Sequence, residues 1–533
     1  MKVRNWLCAL VCAGVSLVWG AAFEKNATVV FLGDSITHQA RWTGYITRYY
    51  AEWLPERNVT FFNAGVGGDT TSGCLGRLAE DVTSRQPDVV VTMFGMNDVG
   101  RGLWAKSFGA KEKARKQEIL AAYEKNLQIL AARLKANTPK VRLVWCTPSI
   151  YDETAAIKCR NNPGRNRELL AGCADVVRRF GAARGEEVID FNGPMTVFNA
   201  ARQKEDPTFT LVGPDRVHPG APGAFFMACE FLRQQGLDPH TGADPLVPWR
   251  PNERAPKLEA VQKAEGVLRG LAAERWYLRM RGVNPDDLAA VQAFADRLKA
   301  QKRTGYFEGL LPRYLEQWPK HEMYVQTFER LRLAAQASCR LPRLAVFGGS
   351  FSVAKESQVA KNAWRTEIGC TVDDYGVGGC GFKAGDDKTN DVPNQVARAL
   401  ATGCPYAGFV LWASTNDIRT KDVKLQNAGV ERAVQLIRTQ APQAKIFFFT
   451  SMPVPLKPEV NRALGPFVDE QIKTCTRLGV KVLDLYHLSG VTAATGEAFF
   501  RDDRLHPNAA GYAAIKDLQV SYLKEGLAAG QNK

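Results

Sequence analysis

Ser35 closes the run Phe31-Leu32-Gly33-Asp34-Ser35, and that position makes it a candidate nucleophile. An unbroken apolar run that opens with Val29-Val30 and ends in glycine reads as a buried parallel strand. Gly33 turns the chain and puts Ser35 at the carboxyl end of the strand, where open α/β sheets bind and transform ligands. A serine hydroxyl is a weak nucleophile until a base takes its proton. The chain must therefore also supply a base, a group that orients the base, and donors for an oxyanion. Three further stretches offer them. Asn63-Ala64-Gly65-Val66-Gly67-Gly68-Asp69-Thr70 follows the next apolar run. Phe94-Gly95-Met96-Asn97-Asp98 ends another, and Asp215-Arg216-Val217-His218-Pro219 precedes a helical pattern.

In this order the four stretches resemble the sequence blocks of the GDSL/SGNH hydrolases, a superfamily of serine esterases and lipases. The resemblance spans residues 27–235 and implies a role for each residue. His218 is the base, taking the Ser35 proton and returning it to the leaving alcohol. Asp215, three residues earlier on the same loop, fixes the imidazole tautomer. The oxyanion donors are the backbone N–H of Ser35, the side-chain amide of Asn97, and Gly68, which aligns with the family block. His38, three residues after Ser35, is expected to line the site or cap the following helix rather than act as base. No cofactor and no metal is implied. There is no Walker motif, no dinucleotide fingerprint and no His/Asp cluster at metal spacing.

From Leu344 the pattern returns. Leu344-Ala345-Val346-Phe347-Gly348-Gly349-Ser350 repeats the strand, turn and serine, and Gly376-Val377-Gly378-Gly379 repeats the glycine run. Trp412-Ala413-Ser414-Thr415-Asn416-Asp417 and Asp503-Arg504-Leu505-His506-Pro507 repeat the other two blocks. The offsets are 315 for the serines, 311 for the glycines, 319 for the asparagines and 288 for the histidines. A duplicated domain follows, with a second candidate set of Ser350, Asp503 and His506 and oxyanion donors Gly379 and Asn416. Two positions depart from the family. Gly349 replaces the aspartate of Gly-Asp-Ser, which puts the stability of the nucleophile turn in question. Cys380 replaces the Asp69 equivalent, either as a reactive thiol beside the oxyanion site or as a small packed residue.

The elements that must position these residues are legible as alternating periods. Strands are expected at Thr28–Leu32, Val59–Asn63, Val89–Phe94, Val141–Thr147 and Glu187–Asp190. Between them lie helical patterns such as Glu118–Lys135, with Ile119, Tyr123, Leu127, Leu130 and Leu134 on one face. Such alternation implies a parallel sheet with helices on both faces. Residues 240–340 lose the strand pattern. Pro245, Pro248, Pro251 and Pro256 mark a linker, and helical patterns follow. Asn284-Pro285-Asp286-Asp287 reads as a helix start with Asn284 as N-cap. Between Arg250 and Arg343 stand 18 basic and 11 acidic residues. Trp276, Tyr277, Tyr306, Phe307, Tyr314, Trp318 and Tyr324 either pack these helices together or stack on sugar rings, and the packing reading is favoured. The expected architecture is α/β: two flavodoxin-like three-layer α/β/α domains with parallel sheets, residues 23–240 and 341–533, joined by a helical segment, 241–340.

At 533 residues the chain is too long for one core. Its first 22 residues read as a signal peptide: Lys2 and Arg4, then largely apolar residues 6–19, then small Gly20-Ala21-Ala22. No later stretch is apolar and long enough to cross a bilayer, so a secreted or periplasmic protein without membrane insertion is expected. Ten of twelve cysteines follow this segment and match neither a zinc pattern nor a disulfide framework, and Cys146 and Cys229 are expected in the core. The net charge of +15 comes with no nucleic-acid motif. It reads as a solvated basic surface, or secondly as a match to an acidic glycan. The resemblance implies an exported serine carboxylic-ester hydrolase, with an acetylated polysaccharide as the expected substrate. Polar Thr37, His38, Gln39 and Arg41 crowd the nucleophile and no long apolar lid is visible. The rival readings are a lysophospholipase, thioesterase or arylesterase, or one catalytic domain beside a non-catalytic glycan-binding copy.

Overall fold

The computed structural model describes residues 21–100, 110–241, 244–249, 252, 254–303, 305, 308–382 and 390–528. Most of the expected signal peptide, and Tyr306 and Phe307 of the aromatic set, lie outside the described residues. The chain divides into two compact units. One comprises residues up to Pro248 together with Lys257–Gln336, and the other comprises Trp249–Pro256 together with Ala337 onward.

Each unit is built on a five-stranded parallel sheet. In the first, β1 (Thr28–Gly33), β2 (Thr60–Gly65), β3 (Val89–Met93), β4 (Arg142–Cys146) and β5 (Glu187–Ile189) lie in the order β2-β1-β3-β4-β5. In the second, β6 (Arg343–Gly348), β7 (Thr371–Asp374), β8 (Gly408–Trp412), β9 (Lys445–Phe449) and β10 (Val482–Leu483) repeat it as β7-β6-β8-β9-β10. Gly33 pairs in register with Gly65 and Met93, and Gly348 with Trp412. The strand ends that carry the serine, the glycine run and the asparagine therefore finish side by side.

The two faces of the second sheet can be read from strand alternation. Leu344, Val346, Val410, Trp412, Phe447 and Phe449 enter one buried cluster with Trp364, Tyr512 and Ile515. Ala345, Phe347, Phe409, Leu411 and Phe448 enter another with Val396, Val430 and Val434. A sheet buried on both faces by helices is the three-layer arrangement that the continuous apolar runs imply. Cys146 and Cys229 are core residues.

The helical stretch packs within the first unit. Gln262 Nε2 donates to the Gly44 carbonyl at 3.1 Å, Arg332 Nη1 donates to Thr60 Oγ1 at 3.2 Å, and Phe328 packs on Phe62 of β2. Arg275 lies between Glu80 and Asp286, at 2.7 Å from each. Tyr277 and Tyr314 are buried among Leu271, Leu278, Val291 and Leu311, with Trp276, Trp318 and Tyr324 packed against them, so these aromatics are core. The helix start differs from expectation. Asn284 closes an Asx turn onto the Asp286 N–H, and Asp287 is the N-cap of the helix Leu288–Ala300, accepting from the Ala290 N–H at 3.0 Å. Asp286, taken by Arg275, is not free to cap.

Trp412 is 1% exposed and touches Trp364, Phe449 and Tyr512 edge-on or tilted. Trp412→Ala is expected to lower the stability of the second unit by about 3–5 kcal/mol. Urea titration followed by circular dichroism measures this, and a loss under about 1 kcal/mol would contradict the packing described.

Candidate active site

Gly33 ends β1 where no side chain fits. A Cβ there would lie 2.4 Å from Thr37 Oγ1 and 2.7 Å from the Met93 carbonyl oxygen. Asp34 then caps the short helix Ser35–His38, its Oδ1 accepting from the Ile36 N–H at 2.9 Å, and Ser35 is the first residue of that helix. The loop between Gly213 and Pro219 brings up the partners. Val212 and Pro219 bridge its base, and Arg216 takes φ +65° at its turn. His218 Nε2 lies 2.8 Å from Ser35 Oγ, and its Nδ1 lies 2.5 Å from Asp215 Oδ2. The other Asp215 oxygen accepts the backbone N–H of Val217 and His218, both at 3.0 Å.

The second unit reproduces this arrangement. His506 Nε2 lies 3.0 Å from Ser350 Oγ and Nδ1 lies 2.6 Å from Asp503 Oδ2, while the other Asp503 oxygen accepts from Leu505 and His506 at 2.9 Å. Burial acts to raise both carboxyls, but hydrogen bonds from the histidine and the loop N–H groups outweigh it. Asp215 lies below its ordinary value and Asp503 is lowered to about 2. Both aspartates are therefore ionised at neutral pH and accept the Nδ1 proton, which leaves Nε2 to face the serine.

The glycine runs and asparagines also match. Gly68 and Gly379 are exposed with φ +78° and +81°, a left-handed conformation that glycine adopts without strain. Asn97 Nδ2 donates to the Asp69 carbonyl at 3.0 Å, and Asn416 Nδ2 donates to the Cys380 carbonyl at 3.1 Å. The Asn97 amide so fixed retains a second N–H, whereas the Asn416 amide also meets Ser414 Oγ at 3.1 Å. Asp98 Oδ1 accepts the Thr71 N–H, and Asp417 Oδ1 accepts the Phe382 N–H at the corresponding place. His38 donates from Nδ1 to the Gly65 carbonyl at 2.8 Å, and burial lowers its ring to about 4, so it is neutral.

Gly349 keeps the shape of the serine turn without the side-chain cap that Asp34 provides. Its backbone (φ −96°, ψ −149°) matches that of Asp34 (φ −95°, ψ −153°). A Cβ at Gly349 would lie 2.1 Å from the Cys380 carbonyl oxygen and 2.6 Å from Ser414 Oγ. The first unit has glycine where the second has Ser414, namely Gly95 with φ +131°. The Asp34–Gly95 pair has thus become Gly349–Ser414. Ser414 donates to the Cys380 carbonyl at 3.1 Å and accepts from Asn416 Nδ2 at 3.1 Å. Cys380 is buried, and its thiol lies 3.8 Å from the Gly378 carbonyl oxygen, as a packed residue.

A cleft of about 220 Å³ opens beside Asp215 and His218, walled by Tyr151, Arg160, Asn162, Arg165 and Val217. Sequence reasoning missed the wall, because residues 151–165 match no block. Arg165 is buried, donates to the Met96 carbonyl at 2.6 Å and lies over the Tyr151 ring. It braces the turn that carries Asn97. The one available signal was Arg216, which recurs in the duplicated motif as Arg504.

The sequence profile of the GDSL-like Lipase/Acylhydrolase family matches residues 31–224 and 346–514, one region for each sheet. The chain belongs to that family, twice over, and is a carboxylic-ester hydrolase. An acetylxylan esterase of Geobacillus stearothermophilus is 25% identical over 225 residues, which cover 39% of this chain and 94% of the relative. Among solved structures, a gut microbial diltiazem-metabolizing enzyme superposes with a TM-score of 0.53 at 20% identity, covering 60% of this chain and 96% of its own. The structure of Axe2, an acetylxylan esterase from Geobacillus stearothermophilus, gives a TM-score of 0.32 at 24% identity over 40% of this chain and 97% of its own.

Asp34 offers a pH test. Burial, with the nearby Asp98 and Asp69 charges, pushes its carboxyl up to about 7 against the lowering pull of the Ile36 N–H. The unfolded group titrates near 3.8. Its contribution to stability is therefore full below about 4 and is lost as pH rises through about 7. Asp34→Asn keeps the capping oxygen and removes the titration. Relative to the parent, its unfolding free energy should rise steadily between those values. A difference that stays flat with pH would mean that Asp34 is ionised in the folded chain.

Proposed function

We propose that the chain is a serine esterase with two active sites that removes O-acetyl groups from polysaccharides through an acyl-enzyme. The observation that carries this reading is the serine–histidine–aspartate geometry, present twice on matching backbone. In each site the imidazole takes the serine proton as Oγ attacks the ester carbonyl, and returns it to the departing sugar hydroxyl. Water, activated by the same imidazole, then releases acetate. The serine N–H, the glycine N–H at Gly68 or Gly379, and the amide of Asn97 or Asn416 serve the oxyanion. Each donor contributes about 3–4 kcal/mol to the transition state.

Two observations favour a small acyl group on a sugar. The cleft beside His218 is small and its wall is rich in polar side chains, and the acetylxylan esterase is similar over most of its own length. Activity in the second site is supported by retention of every reacting group and by the compensated Gly349–Ser414 pair. Among the described residues no helix is long and apolar enough to cross a membrane. The basic, apolar and small-residue order of the first 22 residues supports export.

The test is to measure acetate release from acetylated xylan by the parent, Ser35→Ala, Ser350→Ala and the double variant. Each single variant should retain the other site's activity, and the double variant should fall more than about a thousandfold. Activity surviving in the double variant would rule out both serines as nucleophiles. A Ser35→Ala chain with no activity would leave the second copy without esterase activity on this substrate.

Acyl length separates the substrate classes. A pocket for one methyl group loses about 1–3 kcal/mol per added methylene. Activity on p-nitrophenyl esters should fall at least about tenfold from acetate to butyrate. A preference for octanoate would point instead to lipid substrates.

A further inference from the structure

The two sites share their chemistry but not their walls. After β4 the chain runs from Thr147 to Gly164 before the next helical element begins at Arg165, whereas after β9 it runs only from Thr450 to Lys457 before the helix Pro458–Arg477. The longer segment is tied to the loop of Asp215 and His218 by the arginine between them. Arg216 is 3% exposed. Its Nη1 donates to the carbonyls of Asp152 and Ala155 at 2.9 and 3.1 Å, and its Nη2 donates to those of Ile157 and Cys159 at 3.0 and 3.4 Å. The Asp152 N–H returns a bond to the Arg216 carbonyl at 3.0 Å. The next residue along the segment is Arg160, exposed, lining the cleft, and without an ion pair among the described residues.

An exposed guanidinium on a hydrogen-bonded wall beside the acid–base pair is a ready partner for a carboxylate. The one carboxylate lining the same cleft is Asp215, which His218 and two backbone N–H groups already occupy. We propose that Arg160 makes the Ser35 site selective for esters borne near a carboxylate, as on a uronic-acid-bearing oligosaccharide, and that Arg216 is the positioning residue that sets Arg160 there. This rests on the reading of Ser35 as a nucleophile. In the second site the segment after β9 is too short to form a corresponding wall among the described residues. Its Arg504 has the same left-handed backbone, φ +57°, but an exposed side chain.

The experiment uses the full chain carrying Ser350→Ala, so that turnover reports the Ser35 site. Acetylated xylo-oligosaccharides with and without a glucuronic acid branch are compared, with p-nitrophenyl acetate as a small-ester control. We expect kcat/KM about tenfold higher on the acidic oligosaccharide, carried mainly by KM, as one charge-assisted hydrogen bond supplies. The preference should shrink as salt rises to about 0.5 M. Arg160→Ala should bring the ratio near one, and Arg160→Lys should keep part of it. Arg216→Ala should lose the ratio as well; should that variant unfold, the Arg160 pair still decides. Equal rates on the two oligosaccharides, or a ratio that survives Arg160→Ala, would overturn the proposal while leaving the esterase reading intact. No turnover of p-nitrophenyl acetate by the Ser350→Ala chain, with the fold confirmed by circular dichroism, would overturn the Ser35 reading and this inference with it.

Discussion

One buried guanidinium holds the first site's framework together. Arg77 donates to the carbonyls of Gly33 and Ala64, at 3.3 and 2.7 Å, and so clamps the ends of β1 and β2 where the nucleophile turn and the glycine run begin. Its charge is balanced by Asp69 at 2.7 Å and Asp81 at 2.9 Å, all three nearly free of solvent. Such a cluster adds little net stability, because desolvation cancels much of the Coulomb attraction. What it fixes is geometry. Asp69 also presents the carbonyl that orients Asn97, so one ion cluster reaches the turn after β1, the glycine run after β2 and the amide after β3.

The duplicate reaches the same geometry without those charges. Gln395 accepts from the Gly348 N–H at 2.9 Å and donates to the Gly348 and Asn390 carbonyls. Cys380 stands for Asp69, Gly349 for Asp34, and Ala399 occupies the position of Asp81 relative to the clamp. Removing only Arg77 would strand two buried carboxylates, and removing only Asp69 would leave a buried cation short of a partner. The three members of the ion cluster differ together in the duplicate, as Gln395, Cys380 and Ala399. A reverse exchange occurs at the end of β7. Asn63 Nδ2 donates to the Thr37 carbonyl in the first unit. In the second, Lys361, fully buried and paired with Asp374, donates to the Ser352 carbonyl.

The motif-borne part of this protein was legible in the sequence because Ser35, the glycine run and Asn97 follow strands, and strand ends are marked by glycine. Both sheets and their parallel pairing follow from apolar runs and spacing, and the meeting of Ser35, Asp215 and His218 follows from the family resemblance of the four blocks. The meeting of Ser350, Asp503 and His506 follows from the repeat. What stayed illegible depends on contacts between distant segments. The helix expected from Asn284 begins at Leu288 because Arg275, on another helix, draws off Asp286. The wall at Tyr151–Arg165 has no periodicity and is shaped by carbonyls that accept from Arg216. Gly349 looked like a loss until Ser414 appeared beside it, and no single block shows that pairing.

The arginine of the repeated Asp-Arg-x-His-Pro block separates what the chemistry demands from what a substrate demands. A left-handed arginine costs on the order of 1–3 kcal/mol. In the first unit four carbonyls accept from the side chain and offset that cost. In the second the side chain is exposed and donates to none among the described residues, yet the strained turn persists at φ +57°. The turn therefore does not exist for the arginine. It exists because both loops must aim two backbone N–H groups at one aspartate oxygen while the other oxygen meets Nδ1 of the histidine. The acid–base pair sets the backbone, and the side chain in the middle is left available. In one copy it holds the segment Asp152–Cys159 beside Asp215 and His218; in the other it donates to no carbonyl among the described residues.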